Sequence, residues 1–159
     1  MKKNTALYGV LTALAIILSY LEMLIPIPVP IVGIKLGLSN IISVFLLYKK
    51  GIKPAFFVLF SRIIIINILF GSLSSFIFAI CGGVASLVVM VVLKGFNKFS
   101  SIGVSAVGGV VHNVVQILVA TVYLCSTAVL GYLPVLVIVG VISGIIVGIV
   151  SNLMFRIKV

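Results

Sequence analysis

Apolar runs of about twenty residues follow one another along almost the whole chain, separated only by short polar or basic segments. A helix of this length crosses the hydrocarbon core of a bilayer. Of the 159 residues, 64% are hydrophobic and 8% are charged, which is more apolar surface than a soluble domain of this size can bury. The runs are continuous rather than alternating, which argues against a membrane β-barrel. The sequence therefore predicts an all-α integral membrane protein.

Six spans fit this pattern and fill a single transmembrane domain over residues 1–159, with approximate limits 5–25, 36–48, 54–70, 76–93, 103–124 and 133–155. The second span is short for a full crossing. The connector before it contains Pro26, Pro28 and Pro30, which disfavour helix, and this stiff apolar segment can dip into the membrane to complete the crossing. The N-terminal run lacks a small-residue cleavage site, so we interpret it as a retained first helix.

Basic residues predict the orientation of the bundle. With six spans, four basic segments share one side of the membrane, and they contain Lys2, Lys3, Lys49, Lys50, Lys53, Lys94, Lys98, Arg156 and Lys158. The opposite loops contain Lys35 alone. The positive-inside rule then places both termini in the cytoplasm. We therefore interpret the net charge of +10 as a topology signal and not as a nucleic-acid-binding surface.

A small set of polar residues interrupts the apolar spans. His112 and Gln116 are four residues apart, and Asn113 and Gln116 three apart, so on a helix all three share one side. Arg62 lies midway along the third span, where a charge costs about 2.5–3.5 kcal/mol on insertion scales and marks a functional site by default. The candidate substrate-binding residues are Glu22, Lys35, Asn40, Arg62, Asn67, His112, Asn113 and Gln116.

The same residues have a purely structural alternative. Asn and Gln side chains often bond neighbouring helices in membranes, so Asn113 and Gln116 can be packing residues. Arg62 can serve only to neutralise Glu22 or to bond helix carbonyls. The sequence leaves both readings of the polar set open.

The residues that common enzyme sites require are missing from the sequence. The chain has no aspartate and one glutamate, so it has no carboxylate pair for acid–base catalysis and no aspartates to hold magnesium against a diphosphate. One histidine with two separated cysteines, Cys81 and Cys125, makes neither a zinc motif nor a case for a disulfide. The phosphate-binding loop of ATPases is absent. We predict a protein that is not an enzyme and has no cofactor or metal.

Small residues recur at every fourth position in three spans: Gly140, Gly144 and Gly148 in the sixth, Ser101, Ser105 and Gly109 in the fifth, and Thr5, Gly9 and Ala13 in the first. Such stripes let helices approach closely. For the fifth and sixth spans we expect packing inside the bundle. The stripe of the first span is either internal or a surface for a partner.

Three segments carry a family resemblance: GIKLGLSNIISVFLLY at residues 33–48, the SRI segment that contains Arg62, and VGGVVHNVVQILVA at residues 107–120. Together they resemble a family of small bacterial membrane proteins labelled Gx transporter or heptaprenyl diphosphate synthase component I. The resemblance covers nearly the whole chain. In architecture this family is similar to the S components of energy-coupling factor transporters, which are six-helix subunits with cytoplasmic termini.

The resemblance implies a function and a set of partners. An S component captures a vitamin-like solute from outside, and a transmembrane coupling subunit with two ATPases supplies the energy. S components often meet the coupling subunit through an alanine-x-x-x-alanine surface on the first helix, and Gly9 and Ala13 have comparable spacing here, with glycine in place of one alanine. The implied location is the bacterial plasma membrane.

We therefore predict a solute-binding subunit of S-component type. The solute would enter from outside between the connector and spans two, three and five. Lys35, Arg62 and His112 favour an anionic or carbonyl-rich solute, and the apolar walls suit an aromatic or isoprenoid portion, as in a quinone precursor. One alternative is a non-catalytic accessory subunit of isoprenoid, heptaprenyl diphosphate or quinone metabolism. Another is a stand-alone secondary transporter that uses Glu22 and His112, although we find no inverted repeat.

Overall fold

The computed structural model describes residues 2–24 and 37–156. Across these two ranges the chain forms helices and no strand. The helices are α1 (Lys2–Leu24), α2 (Asn40–Lys49), α3 (Ile52–Phe70), α4 (Leu73–Gly95), α5 (Ser101–Tyr123) and α6 (Leu133–Met154), with a 3₁₀ helix at Thr127–Tyr132. All of them except α2 are long and apolar enough to cross a membrane, α6 together with the 3₁₀ helix. The predicted membrane bundle is confirmed, and each predicted span coincides with one helix.

The short helix α2 lies in the centre of the bundle. Its ten residues extend for about 15 Å, roughly half of the hydrocarbon thickness. Every residue from Ile41 to Leu47 is buried, and α2 packs against α1, α3 and α6. A helix apolar on all sides belongs in such a position, because it has no polar face to present elsewhere.

The start of α2 differs from the predicted start at residue 36. Gly37 has φ +73°, a left-handed conformation that glycine adopts without steric cost and that does not continue a helix. A turn follows, in which the amide of Asn40 donates to the carbonyl of Gly37 at 2.8 Å. The helix therefore begins at Asn40. The proline-containing connector and Lys35 lie outside the described residues.

Contacts bring the ends of α2, α4 and α6 together. Lys94 at the end of α4 donates from Nζ to the carbonyl of Leu47 at 2.5 Å and lies 5.0 Å from the ring centroid of Tyr48. Phe155 after α6 packs on Tyr48 with 5.5 Å between ring centroids, and Lys49 Nζ lies 6.0 Å from the ring of Phe155. Three of the basic segments thus meet at one end of the bundle, as the charge pattern predicts.

The small-residue stripes of α5 and α6 meet each other. A Cβ atom on Gly144 would lie 2.5 Å from the carbonyl oxygen of Ser105, and one on Gly148 would lie 2.7 Å from Cα of Ile102. Gly109 likewise faces the backbone of Gly140. Backbone contact of this kind requires residues with little or no side chain. The expected internal packing of these two stripes is confirmed.

The stripe of α1 has a different environment. Thr5, Gly9 and Ala13 are exposed, and a Cβ atom on Gly9 would meet nothing within 4 Å. The buried residues of α1 lie on other positions, namely Leu11, Ala15, Ser19 and Glu22. Within the single chain, therefore, α1 packs through another face and leaves the stripe on the surface.

Candidate functional site

Arg62 is the central residue of the candidate site. It lies ten residues after the start of α3, about 15 Å along the helix axis, and its side chain is 8% exposed. Its Nη2 atom donates to Oδ1 of Asn40 at 3.2 Å, and Nη1 donates to Oγ of Ser19 at 3.5 Å. One buried guanidinium therefore connects α1, α2 and α3 near the middle of the bundle.

The N-terminus of α2 lies beside this cation. Asn40, which accepts from Arg62, is the first residue of α2. The amide dipoles of a helix place roughly half a positive charge at its N-terminus. A guanidinium and a helix N-terminus together form a positive region in a medium of low dielectric constant, where the combination is costly unless an anion lies nearby. Sites with this composition bind carboxylates and phosphates.

Glu22 provides such an anion from within the chain. Its side chain is 7% exposed, and its Oε1 atom accepts the backbone N–H of Gly37, just before α2. The carboxylate also interacts electrostatically with Arg62. Three of the predicted site residues, Glu22, Asn40 and Arg62, therefore come together at the start of α2. The sequence already suggested that Arg62 neutralises Glu22, and the fold adds the contact of Arg62 with Asn40.

A small cavity, mostly apolar but with several polar groups in its lining, extends from Asn40 between α2, α4, α5 and α6. A water-sized sphere can occupy a volume of about 20 Å³ in it, which suits roughly one water molecule. Binding sites for small organic molecules typically measure about 300–1,000 Å³, so a solute would need these helices to separate. The lining consists of Asn40, Ser86, Ser105 and Ser143, of Val44, Met90 and Val147, and of Gly37, Gly108, Gly109 and Gly144.

The sequence analysis did not identify the serines of this cavity as candidate site residues. Ser86 donates to the carbonyl of Gly108 at 2.8 Å, and Ser143 donates to the carbonyl of Gly140 at 3.3 Å. A serine in an apolar span is typical of helix packing, so the composition gave no reason to single these residues out. Ser105 was identified only as a member of a small-residue stripe. The available signal is that Ser86 and Ser143 lie near the middle of their helices; Ser105, the fifth residue of α5, lacks this signal.

The polar residues of α5 divide between two neighbours. Nδ2 of Asn113 donates to the carbonyl of Leu136 in α6 at 2.9 Å. A Cβ atom on Gly82 of α4 would lie 2.9 Å from Cγ of Gln116 and 3.3 Å from Cε1 of His112, so these two side chains face α4. Asn113 therefore ties α5 to α6, as the structural alternative predicts. Gln116 is 4% exposed, and its Oε1 atom has no hydrogen-bond partner in the described part of the chain.

Asn67, in the last turn of α3, bonds its own helix. Its Nδ2 atom donates to the carbonyl of Ile63 at 2.8 Å, and a Cβ atom on Gly71 would lie 2.5 Å from its Oδ1 atom. These contacts order the end of α3 and do not connect Asn67 to Arg62. Lys35, the remaining candidate, is outside the described residues.

Comparison with known families identifies the family of the chain. The family model described as heptaprenyl diphosphate synthase component I matches residues 11–154, which include α1 from Leu11 onward and every later helix. No curated protein and no solved structure matches the chain.

Proposed function

The chain belongs to the heptaprenyl diphosphate synthase component I family, and we propose that it is a solute-binding membrane subunit of S-component type. Its solute is an anionic or carbonyl-rich small molecule with an apolar portion, captured from outside a bacterial plasma membrane. Arg62 and Asn40 bind the polar group. Separate subunits, namely a transmembrane coupling protein and two ATPases, supply the energy for uptake.

The observation that carries this proposal is the buried guanidinium of Arg62 at the N-terminus of the half-length helix α2, where its partner Asn40 also lines a small cavity. Membrane transporters place their substrates at similar depth, where the N-terminus of a short or broken helix meets an anionic group. A cation kept at this depth is costly when it has only a packing role. Solute binding accounts for the position of Arg62.

The exposed stripe of α1 supports a partner subunit. Gly9 and Ala13 lie on the surface of the single chain, although small residues at this spacing normally permit contact between helix backbones. In the proposed complex this surface contacts the coupling subunit. Because the residues of this face are small, the backbone of a partner helix can approach it closely.

The family description favours a second candidate. It names one component of a heptaprenyl diphosphate synthase, which fits a non-catalytic accessory subunit that binds a prenyl lipid or holds a soluble enzyme at the membrane. The connections at the basic end are short, from Lys49 to Ile52 and from Gly95 to Ser101, so little surface is available to hold a soluble enzyme. We therefore rank this candidate second.

Purification of the protein with its native partners separates the candidates. We expect ATPase subunits and a second membrane protein to co-purify, and native mass spectrometry to detect a small solute released from the chain. A prenyl diphosphate synthase in place of the ATPases would support the accessory function. Neither partner, with a retained solute, would support a stand-alone transporter.

A further inference from the structure

A carboxylate of the protein lies at the positive region formed by Arg62 and the start of α2. Oε1 of Glu22 accepts the backbone N–H of Gly37, in the turn that leads into α2. The same carboxylate interacts electrostatically with Arg62. A carboxylate that accepts a backbone amide near a helix N-terminus, with a guanidinium beside it, has the contacts that such positions give to carboxylate or phosphate ligands.

Two buried donors near the start of α2 have no hydrogen-bond partner in the described part of the chain. Nε of Arg62 is buried and has no hydrogen-bond partner among residues 2–24 and 37–156. The hydroxyl of Ser39, the residue before α2, is also buried without a partner in those ranges. Unsatisfied donors in a buried position are costly, at about 1–3 kcal/mol for each group. An additional acceptor with two or more oxygen atoms would use them.

We propose that Glu22 is a built-in substitute for the anionic group of the solute, an inference that rests on the proposed solute-binding function. A carboxylate- or phosphate-bearing solute displaces Glu22 from the amide of Gly37. The anionic group of the solute then accepts from Gly37 and Arg62, and the hydroxyl of Ser39 donates to it. Without solute, Glu22 keeps the cation and the helix end neutralised.

The exchange has a consequence for α1. Glu22 ties α1 to the start of α2 through Gly37, while Gly9 and Ala13 lie on the exposed surface of the same helix. Displacement of Glu22 removes one contact that fixes α1 against the rest of the bundle. Solute binding therefore changes the attachment of the helix that carries the proposed partner surface, which gives a physical route from the solute to the partner.

The test uses acetate and inorganic phosphate as probes and compares wild type with Glu22→Gln in lipid nanodiscs. Thermal stability is measured against probe concentration at constant ionic strength. Glutamine has nearly the size of glutamate but no charge, so it competes more weakly with an anion. We expect half-maximal stabilisation of Glu22→Gln at an anion concentration about tenfold lower than for wild type, the size of effect expected when a competing charge-assisted hydrogen bond is removed.

Three further variants define what the response means. Arg62→Ala added to Glu22→Gln should abolish the stabilisation by anions. Lys94→Met removes a cation at the opposite end of α2, where it contacts Leu47, so it should leave the anion response unchanged even if it lowers stability. Glu22→Ala removes the carboxylate and leaves a side chain too short to contact Gly37. Anions should stabilise this variant at least as strongly as they stabilise Glu22→Gln.

Equal stabilisation of wild type and Glu22→Gln by the anions would overturn the proposal. Stabilisation that persists after Arg62→Ala, or the absence of stabilisation in every variant, would also overturn it. A weaker response of Glu22→Gln would also overturn it, because Glu22 would then contribute to binding and not compete. The measurements distinguish failure of the proposal about Glu22 from failure of the proposed solute-binding function. If wild type retains a solute in native mass spectrometry, and its retention depends on Arg62 but not on Glu22, the solute-binding function stands without the substitution.

Discussion

The α5–α6 pair and α1 use the same kind of sequence pattern in opposite ways. In α6, Gly144 and Gly148 lie so close to α5 that a Cβ atom would approach backbone atoms to 2.5 and 2.7 Å. In α1, Gly9 has nothing within 4 Å of such an atom. The apolar window of α1 is also the least enclosed, with 22% of it buried against 33–39% in the other long helices. A small-residue stripe thus permits close contact, but the fold decides whether the contact is internal.

The largest effect is expected at the α5–α6 contact. Gly144→Leu should lower stability by more than about 3 kcal/mol or prevent folding, because the new side chain meets backbone atoms of Ser105 and Ala106 that cannot rotate away. Thermal unfolding of purified variants in detergent measures the effect. A midpoint equal to that of wild type would show that the two helices separate easily and would remove the contrast with α1.

A smaller effect is expected for Asn113→Ala. The variant loses the hydrogen bond to the carbonyl of Leu136, and side-chain bonds between membrane helices contribute about 0.6 kcal/mol on average and up to roughly 1.7 kcal/mol. The midpoint should fall slightly, while solute affinity stays at the wild-type value. A loss of solute affinity with an unchanged unfolding midpoint would instead indicate that Asn113 binds the solute.

The smallest effect on the isolated chain is expected for Gly9→Leu. The new side chain enters open space, so the unfolding midpoint and solute retention should match wild type. Co-purification with the partner membrane subunit should be lost, because a bulky residue blocks close approach of helices. Gly9→Ala is the matched control and should keep the partner. A large fall in the midpoint of Gly9→Leu would show that the stripe packs internally.

The sequence was sufficient to predict the helices, because apolar length and the positions of lysine and arginine are local properties. The largest difference in a helix start is at α2, where a left-handed Gly37 shortens the helix, and the 3₁₀ helix at Thr127–Tyr132 was not predicted. The conformation of Gly37 depends on its neighbours in space, such as Glu22, which accepts a hydrogen bond from the backbone N–H of Gly37. Hydropathy alone does not contain this information.

The candidate site was only partly predictable. The free-energy cost of a charge inside a membrane identifies Arg62 as a residue that needs polar partners. Its partners Ser19 and Asn40, however, lie 43 and 22 residues away in sequence. The helical periodicity of α5 places Asn113 and Gln116 on one side, yet they contact different helices, since α4 and α6 both border that side. The serine-lined cavity was missed because its members come from four helices whose arrangement the sequence does not specify.

The central claim is that Arg62 binds the solute, and one paired measurement tests it directly. Solute retention by native mass spectrometry and the unfolding midpoint are compared for wild type, Arg62→Ala and Arg62→Ala with Glu22→Gln. Removal of the charge alone leaves Glu22 buried without its cation, which typically costs about 3–5 kcal/mol, and the second change restores stability. We predict that the stable double variant retains no solute. A double variant that is stable and retains the solute at the wild-type level would contradict the claim and leave Arg62 as a structural residue.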